Sequence, residues 1–388
     1  MPRLAVAAPA VEVVEPDRDG TEVGLLPLAG GDTDHGFGLG VIGSIASFDG
    51  KTAPYLWHLE FAAFAAVKGS ITSLSQADAF VNLIVPQLLD GRLRLEVRPS
   101  FTRATGLRYY GRGNAITIPT DMVSERDNYT RTYPQLQVLT RWRRHRTSSW
   151  SAIAAGQYLL NKVSFADTST VATEIRPGDP RIDHIHSVLR LETGIRYDSR
   201  DSELAPSRGM YHSLGVRASP HLGDAFPYGY QQADLQLRFY QALSARNVLA
   251  VRAVGDLMLG SPPFYELGRY EDNSAIGGSI AVRGVPGYTF YGKVKVFGNL
   301  ELRTHVTKFK LWSKRYRFGV ASFFDAGRLW SAVTDSSTGR DGRGLGLHYG
   351  LGGGLRLQQG RAFLLRADVA WSPDARPIAG YVLANHIF

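Results

Sequence analysis

Apolar and polar side chains alternate with a period of two in segment after segment of this chain. Residues 188–200 carry apolar side chains on one face and charged side chains on the other: Leu189, Leu191 and Ile195 against Arg190, Glu192 and Arg196. Successive side chains of a β-strand point to opposite faces, so this period predicts a strand with one wet and one dry face. The same pattern returns in residues 247–259 and 363–371. It predicts an all-β fold.

Sixteen segments of the chain carry this strand pattern. Their predicted ranges are 22–29, 36–48, 55–68, 75–86, 92–106, 131–145, 149–164, 186–200, 209–219, 229–243, 247–260, 293–307, 315–330, 346–358, 361–372 and 380–388. An even number of strands is what an antiparallel bacterial barrel requires. Tight turns alternate along the series with longer connections, notably 165–184 and 261–292, and this asymmetry is typical of outer-membrane barrels.

The hydropathy of the chain excludes a membrane protein built of helices. No stretch approaches the roughly 18 consecutive apolar residues that a spanning helix needs. A closed barrel spans a membrane with alternating residues and keeps a near-neutral mean hydropathy, here −0.14. Soluble sandwiches and propellers alternate as well. The barrel is favoured by aromatic residues near strand ends, as in interfacial girdles: Tyr55, Trp57, Tyr109, Tyr110, Trp142, Trp150, Tyr211, Trp330, Trp371 and Tyr381.

Charge and cysteine content narrow the possible partners. The formal net charge is +9, which in a soluble protein suggests an anionic partner such as nucleic acid. Here the basic residues are dispersed, and the one dense cluster, at 141–146, ends an alternating segment with no nucleic-acid motif around it. We therefore expect a solvated strand end or a lipid headgroup contact there, and no nucleic-acid partner. The absence of cysteine excludes disulfides and thiolate metal sites.

No catalytic or cofactor-binding constellation emerges from the sequence. His184 and His186 share a strand face, but no third metal ligand lies at a recognisable spacing. His186-Ser187 and His212-Ser213 are neighbours and not a triad, because adjacent residues of a strand face opposite ways. The glycine run 350–354 lacks the lysine of a phosphate loop and more plausibly permits close backbone approach. We expect no enzyme activity, no catalytic residue, no metal and no cofactor.

Domain organisation is simple in this sequence. We predict that residues 1–20 are a disordered or leader-remnant segment. Their apolar stretch is too short and too interrupted for the apolar region of a secretory signal peptide. No linker, helical domain or low-complexity block interrupts the strand series after about residue 35. We therefore predict that residues 21–388 form one barrel domain.

Four short motifs stand in order along the second half of the chain. The first, at 197–209, contains Asp198, Arg200, Asp201, Pro206 and Gly209. The second is Val282-Arg283-Gly284, within the connection IAVRGVPGYTF between predicted strands 11 and 12. The third and fourth lie on the two strands that follow, and carry Glu301 in FGNLELR and then Asp325 and Gly327 in FFDAG.

These motifs resemble those of the bacterial surface antigen, or BamA/TamA, superfamily of sixteen-stranded outer-membrane barrels. The resemblance implies that the loop between strands 11 and 12 folds into the lumen, where Arg283 meets acids of the barrel wall. It also implies that the motif at 197–209 is a hairpin signature, and that the final segment, with Tyr381 and Phe388, is a terminal sorting strand. Two departures stand out: Val285-Pro286 follow the glycine where the family commonly has an aromatic residue, and His386 replaces a usually apolar or aromatic residue.

The alternation of side chains independently supports a lumenal partner for Arg283. Glu301 shares a strand face with Asn299 and Arg303, opposite Leu300 and Leu302, and Asp325 stands opposite Phe324. Both acids should therefore point inward. An arginine removed from water requires paired, hydrogen-bonded anions, and its planar fork suits carboxylates. The alternative is an exposed loop arginine that makes a weak surface ion pair.

The resemblance leaves two functions open. The first is an outer-membrane barrel that assists insertion or translocation of other proteins through a weak seam between its first and last strands. The second is a passive pore or structural barrel plugged by the Arg283 loop. Only about 35 residues precede the first confident strand, so we expect a barrel-only member without POTRA domains. Expected partners are outer-membrane lipid, lipopolysaccharide, client proteins and a separately encoded periplasmic protein. We expect a monomer in the outer membrane of a Gram-negative bacterium.

Overall fold

The computed structural model describes residues 19–388, apart from 33–35, 53, 68–73, 117–127, 272, 312–313, 335–337, 361–362 and 385. Nearly all of the segment predicted at residues 1–20 lies outside the described residues. The rest of the chain, as described, is dominated by long strands joined by turns and loops.

The strands of the main sheet are long and follow one another in chain order. They are β1 Gly20–Asp32, β2 Gly36–Phe48, β3 Trp57–Val67, β4 Leu74–Leu88, β5 Leu93–Arg108, β6 Asn128–Trp142, β7 Trp150–Phe165, β8 His186–Asp198, β9 Gly209–Ser219, β10 Tyr230–Ala242, β11 Asn247–Gly260, β12 Val294–Leu311, β13 Lys314–Trp330, β14 His348–Gln359, β15 Phe363–Ser372 and β16 Ala375–Ala384. Each pairs with its neighbours in antiparallel fashion. The predicted sixteen-stranded antiparallel fold is confirmed.

The last strand differs most from its predicted range. It was predicted at 380–388, but β16 spans Ala375–Ala384, and Phe388 lies beyond it. The physical reason is packing. Phe388 is buried against the ring of Tyr240 and belongs to a small apolar cluster with Ala250 and Ile387. The end of the chain therefore turns from the sheet edge towards the inner face.

The polarity of the two faces of the sheet is the reverse of that in a soluble protein: the outer, exposed face is apolar and the inner, buried face is polar. On the outer face Leu191 is 52% exposed and Leu300 is 45% exposed, and many other large apolar residues behave likewise. On the inner face Arg190 is 5% exposed and Glu301 is completely buried. Exposed apolar area on this scale marks a surface that water does not cover. The outer face is accordingly suited to lipid, and the inner face is a polar lumen.

The two ends of the strands are connected differently. At one end of the strands, which we call the turn end, the connections are between two residues (312–313) and ten residues (199–208) long. At the loop end, four connections are longer, namely 109–127, 166–185, 261–293 and 331–347. In the part of the chain that the structure describes, helices are single short turns, Val171–Ile175, Phe264–Leu267 and Thr338–Asp341. No helix among the described residues has the length and apolar character needed to cross a membrane.

The connection 261–293 lies on the inner face of the sheet. Its residues contact strands as distant along the sheet as β6, through Glu266 and Arg131, and β15, through Arg283 and Asp368. A loop can touch both only if the sheet curves around it. Apolar residues of the loop form much of the buried core, including Phe264, Tyr265 and Val282. The predicted position of this loop, between strands 11 and 12 and inside the lumen, is confirmed.

The two edges of the sheet meet without a regular ladder. Hydrogen-bonded pairing runs from β1 to β16, and among the described residues no ladder joins those two strands to each other. The beginning of β1 lies instead beside the turn between β14 and β15. The carbonyl oxygen of Val23 accepts hydrogen bonds from Gln359 Nε2 at 3.0 Å and from Lys314 Nζ at 2.8 Å. We call this junction the seam.

Candidate functional site

Arg283 projects from the lumenal loop into a fully buried pocket of carboxylates. Its Nε and Nη2 atoms donate a bidentate pair of hydrogen bonds to Asp325, at 2.7 and 3.0 Å. Its Nη1 atom donates to Glu301 at 3.2 Å and to Asp368 at 3.0 Å. The guanidinium also lies 3.3 Å from the ring centroid of Phe323, which shields its remaining face. One loop side chain thus binds β12, β13 and β15 at once.

The three carboxylates are shared with arginines of the barrel wall. Glu301 accepts from Arg303 Nε at 3.0 Å and from Arg356 Nη2 at 3.2 Å. Asp368 accepts from Arg356 Nη1 at 2.5 Å and from Arg366 Nη1 at 3.0 Å. Buried charges are tolerated when their hydrogen-bonding capacity is satisfied in this way. Burial alone would lower the pKa of Arg283, but the Asp325 hydrogen bond and the nearby acids outweigh it and raise that pKa.

Glycines make room for the loop backbone beside this cluster. Gly284 has a φ of +95°, and a Cβ there would lie 2.9 Å from backbone atoms of Trp371. A Cβ at Gly350 would overlap the carbonyl oxygen of Arg283, and one at Gly327 would lie 3.1 Å from Val282. The glycine run of β14 therefore serves close backbone approach, and no phosphate is needed to explain it.

The structure brings the loop and wall residues named from the sequence into one place. Val282 is buried beside Gly327, and Arg283 contacts both Glu301 and Asp325. The sequence interpretation missed Asp368. Alternation had placed Asp368 on the polar face of its strand, but spacing along the chain does not reveal which strands face the loop across a lumen.

A second buried ion cluster holds the beginning of the loop. Glu266, in the helical turn Phe264–Leu267, pairs with Arg131 Nη2 of β6 at 3.1 Å and with Arg190 Nη2 of β8 at 2.5 Å. Arg269 of the loop adds a third contact at 3.2 Å. Burial raises the pKa of Glu266, but these cations outweigh it and hold the pKa well below its ordinary value. The loop is thus anchored at two separated points, and no sequence motif indicated the second.

The residues of the 197–209 motif close the connection between β8 and β9. Arg200 donates two hydrogen bonds to Asp198, each at 2.9 Å. The carboxylate of Asp201 accepts from the Ser207 backbone at 2.9 Å and from the Ser207 hydroxyl, so the turn folds around Pro206, which is buried. Gly209 has a φ of +99°. The motif thus shapes a compact hairpin, residues 199–208, which we call the strap.

The strap reaches across the turn end of the lumen. Glu203 at its apex pairs with Arg94 Nη1 of β5 at 2.5 Å and accepts a hydrogen bond from Tyr55 at 3.1 Å. Arg141 of β6 lies 3.7 Å away. Burial raises the pKa of Glu203, but Arg94, Arg141 and Arg200 outweigh it and lower that pKa to about 2. The sequence motif predicted a hairpin, but it did not predict that the hairpin contacts β5 and β6, which lie beyond β8 in the sheet.

The two residues of the expected sorting strand have different surroundings. Tyr381 lies in β16, and its hydroxyl oxygen accepts a hydrogen bond from the backbone of Gly284 at 3.0 Å, which joins the last strand to the loop. Phe388 lies beyond β16, and its carbonyl oxygen accepts from Arg303 Nη2 at 2.9 Å. His386 lies 3.7 Å from Glu301. The chain end and the loop therefore share one ion cluster.

The ion pairs of Arg283 hold the lumenal loop against the barrel wall. The carboxylates of Glu301, Asp325 and Asp368 all accept hydrogen bonds from arginines. His186, considered above as a metal ligand, has its ring nitrogens 2.7 Å from the Tyr265 hydroxyl and 2.9 Å from the His184 carbonyl. Both nitrogens are thus within hydrogen-bonding distance of protein partners.

Comparison with known proteins gives a consistent result. A family model described as the Omp85 superfamily domain matches residues 66–378. The fold resembles BamA from Haemophilus ducreyi, in a crystal structure lacking POTRA domains 1–3, with a TM-score of 0.57 and 13% identity over 95% of this chain and 70% of that one. No curated protein matched the chain.

Two further solved structures are similar. CdiB from Escherichia coli has a TM-score of 0.58 and 12% identity, over 93% of this chain and 62% of that one. CdiB from Acinetobacter baumannii has a TM-score of 0.51 and 14% identity, over 94% of this chain and 59% of that one. This chain therefore spans about three-fifths of either CdiB chain. At such identities the likeness is one of fold.

Proposed function

The chain belongs to the Omp85 superfamily of bacterial outer-membrane proteins, and from that membership we propose that it assists the insertion or translocation of other polypeptides. The seam is the proposed site of action. β1 and β16 each have one edge without a ladder in the described residues. Such an edge presents unpaired backbone groups that can template an incoming strand.

The way in which β1 is held on its two sides supports this proposal. β1 pairs with β2 along its whole length, from Gly20 opposite Phe48 to Asp32 opposite Gly36. Its other edge is held by the side chains of Gln359 and Lys314. Side-chain hydrogen bonds contribute only about 1 kcal/mol each, so we expect a junction without a backbone ladder to open more readily than one with a ladder. Pro27 within β1 also suits an edge strand.

The partners that follow from this function are proposals of the same kind. The outer face takes outer-membrane lipid and lipopolysaccharide of a Gram-negative bacterium, and the seam takes client proteins. The turn end faces the periplasm, as in other bacterial barrels, where a separately encoded protein can deliver clients. We propose a monomer that performs no catalysis, carries no cofactor and binds no nucleic acid.

A disulfide across the seam tests the proposal. A Cβ built on Gly24 lies 2.8 Å from the Cβ of Phe363, close enough for Gly24→Cys and Phe363→Cys to join after a small shift. The chain has no other cysteine. In proteoliposomes, the wild type should speed the folding of a urea-unfolded outer-membrane barrel, read from its gel mobility. The oxidised double variant should lose this effect and regain it on reduction.

The controls are the two single cysteine variants, which should match the wild type in oxidising and reducing conditions alike. Client folding that proceeds equally well with the seam locked would overturn the seam mechanism. Absence of any acceleration by the wild type would overturn the insertase function itself.

A passive, plugged barrel is the second candidate, and the burial of the loop favours it. The two ion clusters, around Arg283 and Glu266, fill the lumen from separate walls. This candidate predicts that the wild type has no effect on client folding, while Arg283→Ala raises the conductance of planar bilayers.

A further inference from the structure

A cavity of about 160 Å³ remains in the lumen beside the loop, and its lining is dominated by arginine. β5, β8 and β9 contribute four arginines, and one carboxylate comes from β8 and one from the loop: Arg98, Arg190, Arg196, Arg217, Glu192 and Glu271. Gln137 and Gln157 complete the polar wall. Water occupies about 30 Å³ per molecule, so the cavity has room for roughly five waters or for a small solute with fewer waters.

Two of the four arginines are already neutralised by protein acids. Arg217 pairs with Glu192 at 2.7 Å and with Asp234 at 3.5 Å. Arg190 pairs with Glu266 at 2.5 Å and donates to Gln157 at 2.9 Å. Of the two carboxylates that line the cavity, Glu192 is therefore already paired with Arg217. Glu271 is exposed at the edge of the loop.

Arg98 and Arg196 have no such partner. In the part of the chain that the structure describes, neither forms an ion pair with a carboxylate, and the Nε atom of each is buried without a hydrogen bond. Arg98 stacks on the ring of Phe80 at 4.5 Å, which positions its guanidinium beside the cavity. The lining carboxylates Glu192 and Glu271 interact with Arg196 at longer range, without forming an ion pair with it in the described residues. A partly buried guanidinium without a direct carboxylate partner is unfavourable because it has given up water. Two such guanidiniums line one cavity, so an anion from solution could bind there as a direct partner.

Further arginines stand on the neighbouring wall, of which Arg200 is paired with Asp198. Three guanidiniums lie near the ring centroid of Tyr211: those of Arg200 at 4.6 Å, Arg238 at 4.7 Å and Arg196 at 6.0 Å. Arg238 also stands directly opposite Arg252 in the ladder between β10 and β11. Like charges directly opposite each other destabilise a sheet, so this wall loses stability unless an anion is near.

From this arrangement we infer that the lumenal cavity between Arg98 and Arg196 binds a small oxyanion of the phosphate or carboxylate class. The planar forks of two arginines suit the oxygens of such an anion. The amide of Gln137, which also lines the cavity, supplies a further hydrogen-bonding group. Binding here does not depend on insertase activity, so the inference stands or falls separately from the proposed function.

Titration of the purified full chain with inorganic phosphate, by isothermal calorimetry at constant ionic strength, tests the inference. The wild type should bind with a saturable isotherm of one site. The double variant Arg98→Gln with Arg196→Gln should bind at least about a hundredfold more weakly, since each lost charge-assisted bond contributes about 1.5 kcal/mol or more, which is about tenfold in affinity. Arg246→Gln, on an exposed turn, is the matched control and should leave the affinity unchanged.

A second measurement covers the case in which the double variant does not fold. Each single variant, Arg98→Gln and Arg196→Gln, should weaken phosphate binding while retaining the gel mobility of the folded barrel. Three results would overturn the inference: no saturable binding by the wild type, equal affinity in the folded variants, or an equal loss in Arg246→Gln, which would indicate a general effect of net charge.

Discussion

At the scale of single residues, the buried position of Arg283 determines how tightly the lumenal loop is held. Its side chain is completely buried, and so are those of Glu301, Asp325 and Asp368. Within such a cluster each charge depends on the others, because a buried carboxylate left without a cation is strongly unfavourable. The loop position should therefore respond sharply to changes in this one side chain.

Replacing Arg283 with alanine should destabilise the barrel and release the loop tip. Removing one member of a buried ion pair costs about 3–5 kcal/mol, because the partner charges remain buried. We expect a lower urea midpoint, followed by tryptophan fluorescence, and a higher single-channel conductance. Arg283→Lys should recover only part of the stability, since an ammonium cannot make the bidentate contact with Asp325. An unchanged midpoint in Arg283→Ala would contradict the anchoring role.

Gly350 offers a test that leaves every charge in place. A methyl group at this position would overlap the carbonyl oxygen of Arg283, so Gly350→Ala should displace the loop and cost about 1–3 kcal/mol. Gly255→Ala is the matched control, because a Cβ there has no heavy atom within 4 Å. The measurement is the temperature at which the folded gel mobility is lost, and equal temperatures for the two variants would argue against close packing at Gly350.

At the scale of elements, the strap is held to distant strands by Glu203. The pKa of Glu203 is about 2, below its ordinary value of 4.5, so its contribution is fully present above pH 4.5 and is lost as the pH falls towards 2. A spin label on Ser202→Cys should become more mobile over that pH range. Glu203→Gln should give the same high mobility at neutral pH. A label at Ala245→Cys, in the turn between β10 and β11, serves as the control.

If the label at position 202 remained immobile in Glu203→Gln, the strap would owe its position to packing and not to the ion pair. Mobility that rises equally at position 245 would indicate general acid unfolding instead.

The elements also show why some features could be predicted from sequence and others could not. Alternation along each strand, as in Leu191 against Arg190, identifies the strand and its lumenal face without any knowledge of neighbours. The same alternation placed Glu301 and Asp325 inward. Which strands meet across the lumen depends on sheet curvature and loop path. Contacts such as Arg283 with Asp368, or Glu203 with Arg94, therefore cannot be predicted from the spacing of residues along the chain.

At the scale of the whole molecule, the fold combines a held interior with a weakly held seam. Fifteen neighbouring strand pairs are joined by ladders, from β1–β2 to β15–β16, while the described parts of β1 and β16 have none between them. The loop is anchored at both Arg283 and Glu266, and the end of the chain binds the same wall through Arg303. We therefore propose that this barrel opens first at its seam.

The most direct measurement of that claim is disulfide trapping of a client at the edge of β1. Leu25→Cys and Leu214→Cys both place a cysteine on the outer face, at residues that are 55% and 46% exposed, but β9 is paired on both sides. A client barrel with one cysteine in its last strand should form a mixed disulfide with Leu25→Cys during insertion, and far less with Leu214→Cys. Equal trapping at the two positions would contradict insertion through the seam.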